Sequence, residues 1–393
     1  MKTITTISGV YAGSVAAGIK PGRDDLAYIY VPNAVASAGV FTTNKFKAAC
    51  VTYTQKLMKR HTVKAVIINA GNANAATGDV GIRNAKRTGS RAAKRLNIPA
   101  TEVAVSSTGI IGVQLPIDKI EAGLDTLLAN PYQVDGMAAA NAIMTTDLVP
   151  KHAYAEAIIG NKRIQVAGIA KGSGMIEPNM ATMLGFVVTN ARLDRAQLAT
   201  HLKAAVDDSF NQISVDSDTS TNDMVLAFAT GDHDVSPHDP EAVAAFRRLL
   251  TTVCQDLAKA IARDGEGATK LIELNVAGAA SRSDARKIGK SVINSPLVKT
   301  AIHGADPNWG RVAAAIGKTP DVKINPDKVT IRFASTTVFE AGAPIDFDRE
   351  LVSDALRRST VVIDITLGLG SGRAQLWGCD LTKGYIDINT DYS

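Results

Sequence analysis

The sequence predicts an α/β protein of two domains. Three observations carry this. Apolar runs of strand length recur along the chain, clearest at 63–70 and 183–189. Between such runs lie stretches with helical spacing, at 81–96, 194–210 and 240–263. Near 277–290, Gly278, Ala279, Ala280, Ser281, Ser283 and Gly289 gather among basic residues, a composition shift that divides the chain into 1–280 and 281–393. At 393 residues there is chain enough for two or three cores.

Residues 1–60 read as a meander of short strands, with a polar loop at Lys20-Pro21-Gly22-Arg23-Asp24-Asp25. The run 63–70 is apolar throughout, as in a strand buried on both faces. It passes into Gly71-Asn72-Ala73-Asn74, small residues and asparagines that suit a packed polar turn or the edge of a site. The helix at 81–96 carries its basic residues on the outer face, a solvated face. A strand at 103–107 ends in Thr108-Gly109-Ile110-Ile111-Gly112. A glycine there frees the backbone to turn an N–H toward a ligand, and a Thr hydroxyl beside it would complete a two-donor pocket for an oxyanion. A tight turn with a buried Thr fits the same residues. Helices at 118–129 and 134–144 lead to Thr145-Thr146-Asp147, which faces a cleft or forms a capping network. Strands at 154–159 and 164–170 make a hairpin over Gly160-Asn161-Lys162.

That hairpin delivers the stretch on which the rest depends, Lys171-Gly172-Ser173-Gly174-Met175-Ile176-Glu177-Pro178-Asn179-Met180-Ala181-Thr182-Met183-Leu184. It opens as a Gly/Ser loop, and Pro178 lacks a backbone donor. It ends with Thr182 at the head of the buried strand 183–189. A loop feeding a Thr at a strand start is what an N-terminal nucleophile requires. Scission before the Thr frees its α-amine, which then serves as base for its own hydroxyl. An ordinary loop-to-strand junction has the same local look.

Beyond the strand, 194–210 is an amphipathic helix with Asp194 as its cap and Leu198, Leu202, Ala205 and Val206 on one face. The acid- and hydroxyl-rich stretch 214–223 lacks the glycine and terminal glutamate of a calcium loop. A strand at 224–230 and the helix at 240–263 follow. Next comes Asp264-Gly265-Glu266-Gly267, where two glycines permit close approach of a ligand to the carboxylate; an exposed turn acid fits as well. After the strand 271–276, residues 298–311 read as a rigid polar loop whose His303 is structural or stands behind a site residue. Gly368-Leu369-Gly370-Ser371-Gly372 lies between strands 361–366 and 374–381, so it is a hairpin turn and not a dinucleotide loop, which needs a following helix.

Composition excludes several classes. Hydrophobic residues at 46% and charged residues at 21% fit a folded globular chain. The net charge of +5 is scattered without a basic patch, so nucleic acid is not expected, whereas small anionic substrates are. Cys50, Cys254 and Cys379 are far apart and odd in number, which points to no disulfide framework, no zinc ribbon and a reducing compartment. No signal peptide and no membrane span are visible, so the cytoplasm is the expected location.

The loop 171–184 resembles the self-processing site of the ornithine acetyltransferase (glutamate N-acetyltransferase) family of arginine biosynthesis. The strings at 38–44, 71–78, 108–112, 264–267 and 298–311 resemble that family as well. The resemblance implies a layered α/β fold of the N-terminal-nucleophile type, shared with aminopeptidases, plus a smaller C-terminal α/β domain. It implies cleavage between Ala181 and Thr182, Thr182 as nucleophile, and Thr108 and Gly109 as the oxyanion hole. Substrate contacts fall on Thr145 (with Thr146 the neighbouring register), Lys171, Thr182, Glu266 and Asn389. Ser393 stands for a terminal hydroxyl in a tail shorter than the family pattern. The implied reaction moves acetyl from N2-acetyl-L-ornithine to L-glutamate through acetyl-Thr182, with no metal or organic cofactor, in an α2β2 assembly. Acetyl-CoA is a candidate second donor. An amidohydrolase or aminopeptidase on the same scaffold is the rival reading.

Overall fold

In the computed structural model, which describes residues 1–177, 183–235 and 238–390, strands and helices alternate along most of the chain. In order they are β1 (Tyr11–Val15), β2 (Leu26–Tyr30), β3 (Ala36–Phe41), α1 (Ala49–Met58), β4 (Ala65–Asn72), α2 (Gly78–Leu96), β5 (Val103–Ile110), α3 (Ile117–Leu127) and α4 (Gly136–Ala142). Then come β6 (Lys151–Ile159), β7 (Lys162–Lys171), β8 (Leu184–Arg192), α5 (Arg195–Asp207), β9 (Ile213–Ser214), β10 (Met224–Asp234) and α6 (Pro240–Arg263). The remainder is β11 (Leu271–Ala279), α7 (Arg282–Ile293), α8 (Pro296–His303), α9 (Trp309–Gly317), β12 (Thr330–Phe333), β13 (Thr336–Glu340), β14 (Ala343–Pro344), α10 (Arg349–Leu356), β15 (Thr360–Thr366), β16 (Gly372–Cys379) and α11 (Lys383–Thr390). Two compact units result, 1–211 with 218–257, and 212–217 with 258–393. The change of unit falls inside α6. The stretch 277–290, where a boundary is expected from composition, lies within the second unit as the end of β11 and the start of α7.

The first unit holds two sheets. One runs β1-β2-β4-β5, the other β3-β10-β8-β7-β6. Side-chain alternation explains the layering. On β2 and β4, Leu26, Tyr28, Tyr30, Ala65 and Ile67 point one way, to Ala92 and Leu96 of α2 and Leu124 and Leu127 of α3. The alternate residues Ala27, Ile29, Val66 and Ile68 point the other way. They share a core with Cys50 and Val51 of α1, Ala139 and Ala140 of α4, and Phe186, Val188, Leu226 and Phe228 of the second sheet. Each such aliphatic or aromatic side chain, fully buried, contributes roughly 1.5–3 kcal/mol. Beyond the second sheet, α5 lies along β3 and β10, and Leu257 of α6 abuts Gly168 of β7. The expected cap on α5 is present: Asp194 accepts from the Gln197 N–H, and Leu198, Leu202, Ala205 and Val206 are buried.

The second unit is a seven-stranded sheet, β14-β13-β12-β15-β11-β16-β9. Ile288, Val292 and Ile302 on its helices pack against Ile272, Leu274 and Ile363 on its strands.

Three local readings change. Residues 1–60 are not one meander: β3 leaves β1 and β2 to pair with β10, and 49–58 is helix. Cys50, Thr54 and Met58 bury one helical face there, a spacing masked by β-branched and aromatic neighbours. The supposed loop 298–311 contains most of α8 and the start of α9, with Ser295 capping the first ahead of Pro296 and Asn308 capping the second. The turn at 368–372 joins no hairpin. β11 stands between β15 and β16, parallel to one and antiparallel to the other. The connection crosses its end, where the Leu369 and Gly370 N–H groups donate to Gly278 O.

Candidate functional site

The parallel strands β4 and β5 end together. Gly109 pairs with Gly71, and the register breaks between Gly71 and Asn72. The backbone is so close that a Cβ on Gly109 would lie 2.3 Å from the Gly71 carbonyl carbon, and Gly109 adopts φ +130°. Only glycine fits both conditions. The asparagines predicted at this turn tie it down. Asn69 Oδ1 accepts from Ser107 Oγ at 2.6 Å, Asn69 Nδ2 donates to Asn72 O, and Asn74 N donates to Asn72 Oδ1. From β10's approach, Asn222 Nδ2 donates to Ala73 O and Ser107 O. Thr108 is thus presented on a backbone fixed from both sides, its side chain partly exposed.

Three of the predicted site residues meet there. At the end of β7, the Lys171 ammonium donates to Thr145 Oγ1 at 2.7 Å and to Thr108 Oγ1 at 3.3 Å. A hydroxyl that accepts from an ammonium keeps its own proton for another acceptor, so Thr108 can still donate. Behind them lies Asp147, its side chain wholly buried. Asp147 Oδ1 accepts from Lys151 Nζ at 2.6 Å and from the Gly172 N–H at 2.7 Å; Oδ2 accepts from the Thr145 N–H at 3.0 Å and lies 3.8 Å from Lys171 Nζ. Burial pushes the Asp147 carboxyl up, but Lys171 and Lys151 outweigh burial and hold it well below the usual carboxylate range.

Sequence reasoning missed two further groups. Lys20 Nζ donates to Ala142 O and Met144 O just past α4, and Arg23 donates to Thr145 O. Lys20 is pushed down to about 8 by burial first, then by Arg23 and Lys171, against the pull of Asp25 and Asp147. The signal was the polar loop 20–25 itself, whose Asp25 carboxylate accepts from the N–H groups of Ala17, Ile19 and Lys20 and folds the segment back. With Lys20, Arg23, Lys151 and Lys171 around Asp147 and Asp25, this corner suits an incoming carboxylate.

Ala181 and Thr182 lie outside the described residues, as does Ser393. Their chain neighbours are defined. Leu184, two residues after Thr182 in sequence, is the antiparallel partner of Lys171. On the near side Glu177 N donates to Asp218 O, and Ile176 bridges Thr219, so residues 218 and 219 border this loop.

In the second unit, Glu266 and Asn389 are brought together. Asn389 Nδ2 donates to Glu266 Oε2 at 2.8 Å and also to Tyr385 O, which seats α11 on the glycine-flanked turn. Glu266 is buried, not the exposed turn acid its setting allows. His303 Nδ1 bonds Asp380 Oδ2 at 3.0 Å, and Asp380 also accepts from the Thr269 and Lys270 N–H groups. These bonds tie α8 to the strand ends, as a structural histidine would. Among the described residues no cluster of His, Cys, Asp or Glu is placed to hold a metal ion, and no helix is long and apolar enough to cross a membrane. The three cysteines are buried and unpaired.

Comparison with known proteins bears on this arrangement. A profile of the ArgJ family matches residues 11–393. The arginine biosynthesis bifunctional protein ArgJ of Parasynechococcus marenigrum is 46% identical over 99% of this chain and 95% of its own. The protein of the same name from Bacillus anthracis is 44% identical over 99% and 96%. A crystal structure of arginine biosynthesis bifunctional protein argJ from Bacillus halodurans, 43% identical, superposes with a TM-score of 0.51, covering 53% of this chain and 98% of its own.

Proposed function

The chain belongs to the ArgJ family, and on that premise we propose that it is an acetyltransferase of arginine biosynthesis that moves acetyl from N2-acetyl-L-ornithine to L-glutamate on Thr182. The reading begins with scission between Ala181 and Thr182. The Thr182 hydroxyl then attacks the acetyl carbonyl carbon while its proton passes to the Thr182 α-amine, whose ordinary pKa is about 7.7–8.0. The Thr108 hydroxyl and the Gly109 N–H meet the oxyanion. The carbon–nitrogen bond breaks as the ammonium returns the proton to the leaving nitrogen, and ornithine departs. The amine of glutamate attacks the acetyl-Thr182 ester, giving N-acetylglutamate and restoring the hydroxyl. Lys171 pairs with the α-carboxylate common to both substrates, beside Thr145. Glu266 meets a substrate ammonium or the Thr182 amine, and Asn389 is a further substrate contact. Acetyl-CoA is a second donor to glutamate under this reading, and the processed chains assemble as α2β2.

The observation that carries the proposal is the hydrogen-bonded set Lys171, Thr145 and Thr108 beside the head of β8, with Asp147 behind it. It supplies a carboxylate-binding cation and a hydroxyl with a free proton next to the strand that Thr182 precedes. The share of this chain covered by the B. halodurans structure, 53%, is close to what residues 182–393 make up, which supports scission. The test is N-terminal sequencing of the purified protein together with product analysis. Two fragments are expected, the second starting at Thr182, with acetylglutamate formed from acetylornithine. Thr182→Ala should give one intact, inactive chain. A second fragment starting elsewhere, or acetate released in place of acetylglutamate, refutes the reading; the latter is the amidohydrolase outcome.

A further inference from the structure

We infer that Asp147 is the positioning residue of this site, a buried carboxylate that holds the Lys171 ammonium and the Thr145 backbone where substrate meets them. The inference rests on the reading that Lys171 and Thr145 contact substrate. Asp147 ties three segments together at this point: the turn after α4 through Thr145 N, the start of β6 through Lys151 Nζ, and the end of β7 through Gly172 N and Lys171 Nζ.

The two lysines are held unequally. Lys151 makes the short contact, 2.6 Å, and its side chain is 1% exposed, so it cannot reach a ligand. Lys171 stands at 3.8 Å, is 9% exposed, and turns its hydrogen bonds to the partly exposed hydroxyls of Thr145 and Thr108. Lys151 therefore holds Asp147 by a direct hydrogen bond, while Lys171 acts on it through its charge. Lys171 is fixed in place with its ammonium against the two hydroxyls. Lys20 and Arg23 face the same corner from 20–23 and add to the positive field without touching Asp147 through any hydrogen bond of their own to it.

The double variant Asp147→Asn/Lys151→Met separates position from charge. It removes one charge of each sign, so the cluster keeps its net charge and Lys151 is not left as a buried ion without its carboxylate. A hydrogen bond to a charged group governs position here, so KM for both acetylornithine and glutamate should rise about tenfold while kcat stays within about threefold. A merely structural role would lower the melting temperature and leave KM unmoved. Asp147→Glu, which keeps the charge but displaces it, should give the same KM-selective rise, and it decides the matter should the double variant not fold. KM values equal to those of the parent in a folded, processed variant overturn the inference. Lys171→Met run in parallel distinguishes the two layers. If it leaves KM unchanged, the substrate reading of Lys171 fails; if it raises KM and the Asp147 variants do not, only the positioning role fails.

Discussion

Thr108→Val tests the oxyanion assignment most directly. The change deletes one hydroxyl and keeps the branched shape on a strand end whose backbone is fixed by Gly71, Asn72 and Asn222. Two interactions are lost. One is the contact with Lys171 at 3.3 Å, long for a hydrogen bond and secondary to the 2.7 Å bond from Lys171 to Thr145. Its loss is worth on the order of 0.5–1 kcal/mol, so KM should move by less than about fivefold. The other exists only in the transition state, where one donor to a developing oxyanion is worth about 2.7–4 kcal/mol, or roughly 10²–10³ in kcat. The assay is steady-state acetyl transfer from acetylornithine to glutamate, normalised to processed Thr182 by N-terminal quantification, since scission also passes through a tetrahedral centre. Thr108→Ser should recover most of the rate. A variant with parental kcat and raised KM would show that Thr108 only binds, because an interaction made in the transition state alone lowers kcat and kcat/KM together.

Two more outcomes follow from the geometry. Gly109→Ala puts a Cβ 2.3 Å from the Gly71 carbonyl carbon at φ +130°, so the β4–β5 ends must separate; backbone strain of this kind costs about 1–3 kcal/mol before any clash, and a melting temperature equal to the parent's would contradict the packing described. Lys20 titrates at about 8 in the folded chain against 10.5 when free. Its charged form thus opposes folding below pH 8, and stability rises with pH between those values. Because the neighbouring Arg23 is exposed, the rise is on the order of 1 kcal/mol. Lys20→Met should flatten the melting temperature over that window relative to the parent, and parallel curves would refute the assignment.

The parts of the fold written in local periodicity were legible in the sequence. The helices α2, α5 and α6 follow from their spacing, and the Asp194 cap from one residue. The nearness of Thr108, Thr145 and Lys171 was legible only through motif resemblance, since nothing in their spacing brings these positions together. What failed was set by long-range pairing. The residues around 368–372 look like a hairpin because strand pairing is local by default; here β11, nearly a hundred residues earlier, takes the middle position. The helix α1 was hidden by β-branched and aromatic residues, although its Cys50, Thr54 and Met58 spacing was there to be read. Lys20 and Asp147 could be seen only as polar residues in turns. Lys20 is bonded to a segment more than a hundred residues away, and Asp147 to the end of β7 as well as to its own turn.

The order of strands in the five-stranded sheet has a consequence for a nicked enzyme. Scission before Thr182, as proposed, assigns β3, β6 and β7 to one polypeptide and β8 and β10 to the other. The observed order, β3-β10-β8-β7-β6, then sets the second chain's two strands between those of the first. Both seams between the fragments within this sheet, β3 with β10 and β7 with β8, are ladders of backbone hydrogen bonds backed by the shared core of Phe186, Leu226 and Ile169. The halves would be interleaved rather than docked. Neither could leave without unravelling this sheet, and neither holds all five of its strands alone. A single precursor is thus the natural way to build this sheet, with the cut made only after the strands have been woven.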